Sequence, residues 1–391
     1  MRTDITNMHI EGPRGCTPDD RGEVLALIDS ILRIGSKQSL ATDYPLVYRD
    51  DNLENVQIIR ANAKLVAVVP FIPWTVRHEG CELRVGIISP TGTYPEFRGH
   101  GFGLKCLNSC IECMNNRGIE LSVLWTLVPT FRFYNRGGFQ AVKDQGSLFT
   151  LTRNQAGWFQ DRGETIESPG EVHEYLPAIQ RLRHAEPVGL LRNDDRAAVL
   201  HNLPLLTTYV ALRDGEPVAY LTYSQSSNKG GVTEAAGDEF ALETIMHRLL
   251  KAHDTEAAVQ IFCPLCDTNL SRMLDRVCHS EREPCLEGTM FRINDVRGLF
   301  QAVSTWLERR AGGQTMALSI TVTDTNETVS LEFNREGLKI GDQQQQTHFD
   351  LSRLELTSAI FGAHPCRPFD APEPVASLFP FHFPISILDR S

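Results

Sequence analysis

Apolar residues in the first part of the chain recur with two spacings, one typical of helices and one typical of strands. Thr17-Pro-Asp-Asp20 predicts the start of a helix, with a capping threonine and acids in its first turn. The buried stripe predicted for this helix comprises Val24, Leu27, Ile28, Ile31 and Leu32. Residues 56–60 and 65–71 have strand composition and predict a hairpin that turns at residues 61–64.

A second run of elements surrounds a glycine-rich turn. Residues 83–94 are mostly extended, and the helix after the turn has an apolar stripe that ends at Gly118. Residues 119–125 predict a strand, residues 129–135 a short helix, and Gly137-Gly138-Phe139 a turn into another strand. The order strand, turn, helix, strand, helix, strand predicts an α/β unit. Pro90 lies inside the first of these strands and cannot donate a hydrogen bond, which indicates an edge or a bulge there.

The turn itself, Arg98-Gly-His-Gly-Phe-Gly103, has the chemistry of a phosphate site. Its glycines leave backbone N–H groups free to approach an anion without a Cβ in the way. The helix that begins near Phe102 adds unpaired N–H groups and the positive end of its dipole. Arg98 adds a forked cation suited to phosphate. The predicted ligand is the pyrophosphate of a nucleotide-like cofactor, although a plain glycine-rich turn before a helix remains an alternative.

Two other phosphate motifs fit this turn less well. The spacing is Arg-x-x-Gly-x-Gly, whereas dinucleotide-binding domains use Gly-x-Gly-x-x-Gly with an acidic residue about 20 positions later. Glu120 lies near that distance but opens a strand. The Gly-x-x-x-x-Gly-Lys-Ser/Thr loop of nucleotide hydrolases does not occur in the sequence. A nicotinamide-binding domain is therefore the weaker interpretation.

The rest of the chain predicts two further regions. After a polar, glycine-containing linker at residues 156–170, a hairpin around Asp214-Gly215, a helix at 240–253 and a strand at 257–262 repeat the order of the first domain. This second region has no Arg-x-x-Gly-x-Gly turn, so we expect a degenerate copy that cannot hold a cofactor in the same way. A third region starts near Met290, and its predicted elements are a helix at 296–310, strands at 318–322, 328–333 and 338–340, and a helix from 349 to 361.

Composition narrows the class of protein. The 391 residues carry a net charge of −11, with 41% hydrophobic and 22% charged residues, as in an ordinary soluble protein of two or three domains. The acidic balance argues against nucleic acid as a main partner. The sequence has no apolar run of membrane length and no signal-peptide core, so we expect no membrane partner and a cytoplasmic location.

The 10 cysteines are expected to be free thiols in that compartment. Cys106, Cys110 and Cys113 follow helical spacing and are interpreted as small buried residues. Cys263, Cys266, Cys278 and Cys285 could form a metal set, but the second half lacks a closely spaced pair, and we expect no metal.

Two motifs carry a resemblance to a known family. Thr93-Tyr-Pro-Glu-Phe-Arg-Gly-His-Gly-Phe-Gly103 resembles the acetyl-CoA motif of the GNAT superfamily of N-acetyltransferases, and Phe133-Tyr134-Asn-Arg-Gly-Gly-Phe139 resembles its later tyrosine motif. In a chain of this length the combination is similar to the enhanced-intracellular-survival type. That type has two GNAT-like domains and a C-terminal domain resembling sterol carrier protein. The resemblance is strongest over residues 85–140.

The resemblance implies a fold class and three domains. The fold would be α/β (α+β), with two GNAT-like mixed-sheet domains followed by a sterol-carrier-protein-like α+β domain. Residues 1–155 would form the GNAT domain with the acetyl-CoA site, and residues 156–290 the degenerate second copy. Residues 291–391 would form the third domain, whose C-terminal tail reaches the active site. Members of this type assemble into oligomers, so a homo-oligomer is also expected.

The resemblance also implies roles for individual residues. The backbone at Thr93 and Tyr94 would bind the pantetheine and the thioester carbonyl. Tyr134 would be the general acid, because a phenol with a reference pKa near 10 stays protonated at pH 7. The terminal carboxylate, here on Ser391, would be the base, with Asp389 as a fallback because the family commonly ends on an aromatic residue. The pyrophosphate would be held by Arg98, Gly99, His100, Gly101, Phe102 and Gly103.

The predicted activity is acetyl-CoA-dependent N-acetylation of a primary amine, on a small molecule or a lysine side chain, by direct transfer in a ternary complex. One alternative is a non-catalytic regulator that binds acyl-CoA or lipid on the same domains, against which Tyr134 argues. Another is a transferase that takes aminoacyl groups from tRNA, against which the acidic balance and the intact turn argue.

Overall fold

The computed structural model describes residues 3–34, 39–142, 146–170, 172–225, 230–254, 257–278, 282–284, 288–362 and 371–390. Its contacts divide the chain into two units. Unit 1 comprises Met1–Val76, Gly80–Lys143 and Glu287–Phe381. Unit 2 comprises Arg77–Glu79, Asp144–Leu286 and His382–Ser391. The last ten residues therefore group with the middle of the chain, and the residues just before them group with its beginning.

The elements have the following bounds in chain order. The strands are β1 Ile10–Gly15, β2 Val56–Ala61, β3 Lys64–His78, β4 Cys81–Ile88, β5 Gly92–Thr93, β6 Leu121–Trp125, β7 Gln140–Ala141, β8 Gly146–Leu151, β9 Thr165–Glu167, β10 Val188–Leu190, β11 Leu206–Arg213, β12 Glu216–Ser224, β13 Gly230–Gly237, β14 Val259–Pro264, β15 Arg282–Pro284, β16 Thr289–Ile293, β17 Met316–Val322, β18 Glu327–Asn334, β19 Gly337–Gly341 and β20 His348–Leu351. The α-helices are α1 Arg21–Leu32, α2 Leu40–Asp43, α3 Phe102–Asn116, α4 Phe131–Asn135, α5 Leu176–Ala185, α6 Asp194–His201, α7 Glu239–Ala252, α8 Asn269–Val277, α9 Val296–Ala302, α10 Ser304–Ala311, α11 Arg353–Phe361 and α12 Glu373–Ala376. The protein is thus a mixed α/β chain.

Unit 1 is built on a mixed sheet with the strand order β1-β2-β3-β4-β6-β16-β7, and β5 pairs with β3. The predicted hairpin of β2 and β3 forms, with Asn62 and Ala63 at positive φ in its turn. Helix α3 packs its apolar stripe of Cys106, Leu107, Cys110 and Met114 into the core beside this sheet. Strand β16 comes from far along the chain and completes the sheet between β6 and β7.

One residue of the buried stripe predicted for the first helix is exposed in the structure. Thr17 and Asp20 form a capping box on the 3₁₀ turn Pro18–Asp20, and Asp20 rather than the predicted Thr17 is the N-cap of α1. Val24, Leu27 and Ile28 are fully buried, but Leu32 is 43% exposed because the helix ends there, at the edge of its packed face.

The four-stranded sheet β19-β18-β17-β20 also belongs to unit 1, with helices α9, α10 and α11 nearby in the sequence. Two predictions here are wrong. The helix predicted at 296–310 is interrupted at Val303, whose backbone leaves the helical region although its side chain continues the buried stripe. Residues 348–351 form a strand rather than a helix start, because they pair in parallel with β17, and the helix begins only after Ser352 caps it.

Unit 2 is built on the sheet β15-β8-β14-β13-β12-β11-β9, covered by α7 and α8. The hairpin of β11 and β12 turns at Asp214-Gly215 as predicted. The predicted linker at 156–170 is instead part of this unit. Phe159 is 1% exposed in its core, and β9 pairs with β11. The linker prediction failed because the segment is mostly polar, although it contains one large apolar side chain, Phe159, and the short edge strand β9.

Two cysteines of α3 belong to the apolar core of unit 1. Cys106 and Cys110 are fully buried, and burial raises the pKa of the Cys106 thiol to about 12, so both act as the small core residues that were predicted. In the described part of the chain, the helices are all too short or too polar to span a bilayer.

Candidate active site

A gap between two parallel strands marks the candidate site in unit 1. Strands β4 and β6 pair in parallel from Val85↔Leu121 to Ile87↔Val123. Beyond that pair β6 continues to Trp125, whereas the chain after β4 passes a cis Ser89–Pro90 bond. It then forms β5, which pairs with β3 on the other side. The two strands therefore part, and their facing backbone groups border an opening at the carboxyl ends of the strands.

The glycine turn follows β5 after a short 3₁₀ turn at Pro95–Phe97 and leads into α3. Gly99 and Gly101 have φ values of +85° and +81°, which glycine adopts without strain. Gly101 is the N-cap of α3 and has no side chain to cap the first-turn N–H groups, which therefore remain available. A Cβ at Gly101 would meet nothing within 4 Å. The turn thus offers bare N–H groups to open space at the positive end of a helix.

Contacts join this turn to the strand before it and to α4. The Arg98 guanidinium donates from Nε to the Thr93 carbonyl oxygen at 3.1 Å and is otherwise exposed. A Cβ placed on Gly103 would lie 3.1 Å from Thr93 Oγ1 and 3.4 Å from the Phe133 ring, so glycine permits this close approach. Tyr94 is half-buried, and its N–H donates to the Val66 carbonyl at 3.1 Å.

Tyr134 lies on α4 and is 8% exposed. Its ring meets Phe133 edge-on at 4.8 Å and Phe139 at 6.1 Å, within the apolar cluster that also contains Phe102. Burial raises the pKa of the Tyr134 phenol above its ordinary value, and the neighbouring Thr91 side chain lowers it in part. The phenol is accordingly protonated at neutral pH.

Thr91 is a site residue that the sequence analysis missed. It follows Pro90 in the segment where β4 and β6 part. Its Oγ1 is buried, lies beside the Tyr134 phenol and has no hydrogen-bond partner of full geometry among the described residues. Burying a hydroxyl without a hydrogen-bond partner costs free energy, unless a ligand or a water molecule supplies that partner. The sequence feature that could have indicated Thr91 is Pro90, which ends the strand just before this threonine.

The remaining predicted residues lie in different surroundings. His100 is half-buried in the turn, 5.9 Å from the Phe102 ring, and its Nε2 has no hydrogen-bond partner in the described chain. Ser391 lies outside the described residues. Asp389 is in unit 2, where its carboxylate accepts from Arg183 Nη2 at 2.9 Å and from Arg192 Nε at 2.7 Å.

The turn, the strand gap and the phenol lie in a segment that matches a known family. Residues 16–142 match the family model of the acetyltransferase (GNAT) domain. The chain carries a GNAT acetyltransferase domain. The prediction of an acyltransferase enzyme is thereby confirmed. No curated protein has a significantly similar sequence.

Solved structures resemble almost the whole chain. The GCN5-related N-acetyltransferase from Kribbella flavida aligns with a TM-score of 0.69 and 13% identity, covering 91% of this chain and 89% of that one. The GCN5-related N-acetyltransferase from Anabaena variabilis ATCC 29413 aligns with a TM-score of 0.68 and 15% identity, covering 90% and 89%. Eis1 from Mycobacterium abscessus aligns with a TM-score of 0.59 and 15% identity over the same shares. At these identities the likeness shows the fold.

Proposed function

We propose that this protein transfers an acetyl group from acetyl-CoA directly to a primary amine of a small molecule or a lysine side chain. The observation that carries the proposal is the buried, protonated Tyr134 phenol beside Thr91, in the same unit as an uncapped glycine turn. An anion site alone would suit many ligands. A proton donor beside the strand gap suits a leaving thiolate.

The residues present fit acetyl-CoA as co-substrate. First-turn N–H groups at Gly101, Phe102 and Gly103 would bind the pyrophosphate, together with the backbone of Gly99 and His100. The Arg98 guanidinium would add charge-assisted hydrogen bonds. A Cβ at Gly101 would point into open space, so a ligand meets no side chain there.

The gap between β4 and β6 suits the thioester end of acetyl-CoA. The Thr93 backbone would donate to the pantetheine and polarise the carbonyl, whereas the Tyr94 N–H, also expected to do so, already donates to the Val66 carbonyl. The orphaned Thr91 hydroxyl is available to the same ligand, because it is buried without a partner among the described residues.

Proton transfers then balance the reaction. The amine nitrogen bonds to the carbonyl carbon, the carbon–sulfur bond breaks, and Tyr134 donates its phenolic proton to the sulfur that leaves. The terminal carboxylate of Ser391 takes the proton that the amine loses. Burial would raise the pKa of that carboxylate and make it a better base than in water. The products are the acetamide and free coenzyme A, without a covalent enzyme intermediate.

The proposal includes the wider organisation of the protein. Residues 1–155 would form the active GNAT domain, residues 156–290 a degenerate copy, and residues 291–391 a domain of sterol-carrier type. The four-stranded sheet β19-β18-β17-β20 supports an α+β arrangement for this region, which groups with unit 1 in the structure. We propose a cytoplasmic homo-oligomer that acts on amines, for which the net charge of −11 is favourable.

Thiol release measured in a spectrophotometer over a panel of amines would test the function. We expect release from acetyl-CoA that depends on the amine, with aminoglycosides, polyamines and a lysine peptide as the first three classes. Calorimetry with coenzyme A supplies the binding control. Binding without release for every amine would identify a non-catalytic acyl-CoA-binding protein and refute the proposal.

A further inference from the structure

The Thr91 hydroxyl is a buried polar group of unit 1 without a settled partner. Its Oγ1 is shielded from solvent and has no hydrogen-bond partner of full geometry within the described chain. It lies beside the Tyr134 phenol, and the Thr91 side chain lowers the pKa of that phenol. Because a buried hydroxyl without a partner costs free energy, we expect this one to act on a neighbour or a ligand.

The backbone next to Thr91 is held by packing on two sides. Gly92 pairs with Val68 of β3. A Cβ on Gly92 would lie 2.7 Å from Ile28 Cδ1 and 2.8 Å from Leu27 Cδ2, so the segment is pressed directly against α1. A β-branched side chain on such a backbone has few rotamers. The Thr91 hydroxyl therefore has a defined position.

Helix α3 brings α4 to the same place. A Cβ on Gly103 of α3 would lie 3.1 Å from Thr93 Oγ1 of β5 and 3.4 Å from the Phe133 ring of α4. Strand β5 and helix α4 thus both pack closely on α3. Since Tyr134 follows Phe133 and Thr91 precedes β5, this packing sets the phenol next to the threonine.

The other surroundings of the phenol are apolar. The Tyr134 ring contacts Phe133 and Phe139, and burial raises the pKa of its phenol. The titratable groups on the elements packed around it are Lys105 and Cys106 of α3, Arg132 and Arg136 of α4, and Arg98 and His100 of the turn. The lysine and the arginines are exposed, and burial raises the pKa of the Cys106 thiol to about 12, which keeps it neutral. Within the part of the chain that is described, Thr91 is the side chain that favours the ionised phenol.

The proposed reaction places charge on this phenol. When Tyr134 passes its proton to the departing sulfur, the electron pair of the O–H bond stays on the phenol oxygen. A charge that develops in an apolar site is costly, whereas a hydrogen bond donated to the charged form favours it. A hydroxyl has one O–H donor and two acceptor positions. Thr91 can donate to the phenol oxygen and leave the phenolic hydrogen free to point at the sulfur.

We propose that Thr91 is a positioning residue for proton transfer, whose hydroxyl donates a hydrogen bond to the Tyr134 oxygen, directs the phenolic hydrogen toward the thioester sulfur and stabilises the phenolate as it forms. This inference rests on the proposed function, in which Tyr134 is the acid. The sulfur gains the Tyr134 proton, the Thr91 proton stays on Thr91, and the phenolate takes up a proton from solvent before the next turnover.

The test uses the full-length protein as wild type, Thr91→Val, Thr91→Ser, Tyr134→Phe and the double variant Thr91→Val/Tyr134→Phe. Valine keeps the branched shape of threonine without the hydroxyl, whereas serine keeps the hydroxyl. Thiol release gives kcat and KM for acetyl-CoA, and thermal unfolding gives the midpoint. Ultraviolet difference absorbance titrates the Tyr134 phenol, as wild type minus Tyr134→Phe and as Thr91→Val minus the double variant. Circular dichroism checks the fold at each pH.

We expect Thr91→Val to lower kcat about tenfold, with KM for acetyl-CoA within twofold of wild type. Its thermal midpoint should be unchanged, because the hydroxyl has no described partner of full geometry to lose. Its Tyr134 phenol should titrate at a higher pH than in wild type, because the group that lowers that pKa is gone. Thr91→Ser should retain at least half of kcat. In the Tyr134→Phe background, Thr91→Val should change kcat less than twofold, because Thr91 acts through the phenol.

Several results would overturn the inference. These are a wild-type kcat in Thr91→Val, an equal loss in Thr91→Val and Thr91→Ser, an unmoved phenol titration, or a tenfold loss that persists in the Tyr134→Phe background. A rise in KM without a loss of kcat would assign the hydroxyl to cofactor binding and would also overturn it. If Thr91→Val does not fold, Thr91→Ala replaces it with the same expectations. A wild type that acetylates no amine would refute the proposed function instead, while the two phenol titrations would still test the hydrogen bond.

Discussion

Replacing Tyr134 by phenylalanine separates its chemical role from its structural one. The ring makes its contacts with Phe133 and Phe139 through carbon atoms, and these remain in the variant. The neighbour of the hydroxyl is the Thr91 side chain, whose Oγ1 has no hydrogen-bond partner of full geometry among the described residues. Since a net hydrogen bond contributes only about 0.5–1.5 kcal/mol, the stability should change by less than about 1 kcal/mol. Binding of coenzyme A should be unchanged.

The expected loss of turnover follows from the environment of the phenol. General acids contribute about 10²–10⁴-fold, and most when their pKa is near the working pH. Burial raises the pKa of Tyr134 above 10, whereas a free thiol titrates near 8.5, so full proton transfer to sulfur is uphill by at least about 2 kcal/mol. The contribution should therefore lie in the lower half of that range. We expect kcat to fall about 10²–10³-fold, which corresponds to roughly 3–4 kcal/mol in the barrier.

The assay is thiol release at saturating acetyl-CoA and amine, with calorimetry and thermal unfolding on the same preparations. Phe133→Leu is the matched control, because it changes the neighbouring ring without removing a hydroxyl. A kcat for Tyr134→Phe equal to that of wild type would remove the phenol from the mechanism. A loss accompanied by weaker binding or by unfolding would show that the hydroxyl acts through the structure and not through proton transfer.

Three further predictions concern binding, the base and pH. Arg98→Gln should weaken acetyl-CoA binding about tenfold in calorimetry with an unchanged thermal midpoint, because Arg98 is exposed, and equal affinity would contradict its role. A short glycine extension after Ser391 should lower kcat about 10²–10⁴-fold, and acetylation at the full rate would exclude a terminal base. Burial lowers the pKa of His201 from 6.5 to about 4, so the unfolded chain takes up a proton before the folded one and stability is lost as pH falls from about 6.5 toward 4. Urea unfolding should show a loss of about 3 kcal/mol over that window that His201→Gln lacks, and identical pH profiles would refute this.

Local signals were sufficient for much of the fold. Hairpins at Asn62-Ala63 and Asp214-Gly215 form where turn residues separate strand-like runs. The glycine turn and α3 form where a bare-backbone segment precedes a helical stripe. These features depend on neighbours in sequence, and backbone preference decides them. The strand at 348–351 depends instead on parallel pairing with β17, which no short window of sequence contains.

Only part of the candidate site could be predicted from the sequence, because some of its features depend on contacts between residues that are far apart in the chain. Arg98 and Tyr134 stand in recognisable motifs, whereas Thr91 has functional interest only because a strand ends beside it. The buried charge cluster joins Asp389 to Arg183 and Arg192 across 206 and 197 positions of sequence. Nothing in the spacing of such residues indicates that they meet. Only the packing of unit 2 brings these residues together.

Strands β13 and β14 of unit 2 pair in parallel only from Gly230↔Val259 to Val232↔Ile261 and then part, as β4 and β6 do in unit 1, and the helices α7 and α3 that follow the two gaps differ at their N-termini. In unit 1 the helix after the gap starts at a glycine, so its N–H groups can bind an anion from outside the chain. In unit 2 it starts at Asp238, whose carboxylate already accepts from those groups. An anionic cofactor is excluded there, and an apolar peptide segment with Ser386 bonded to a free strand carbonyl can take the gap instead.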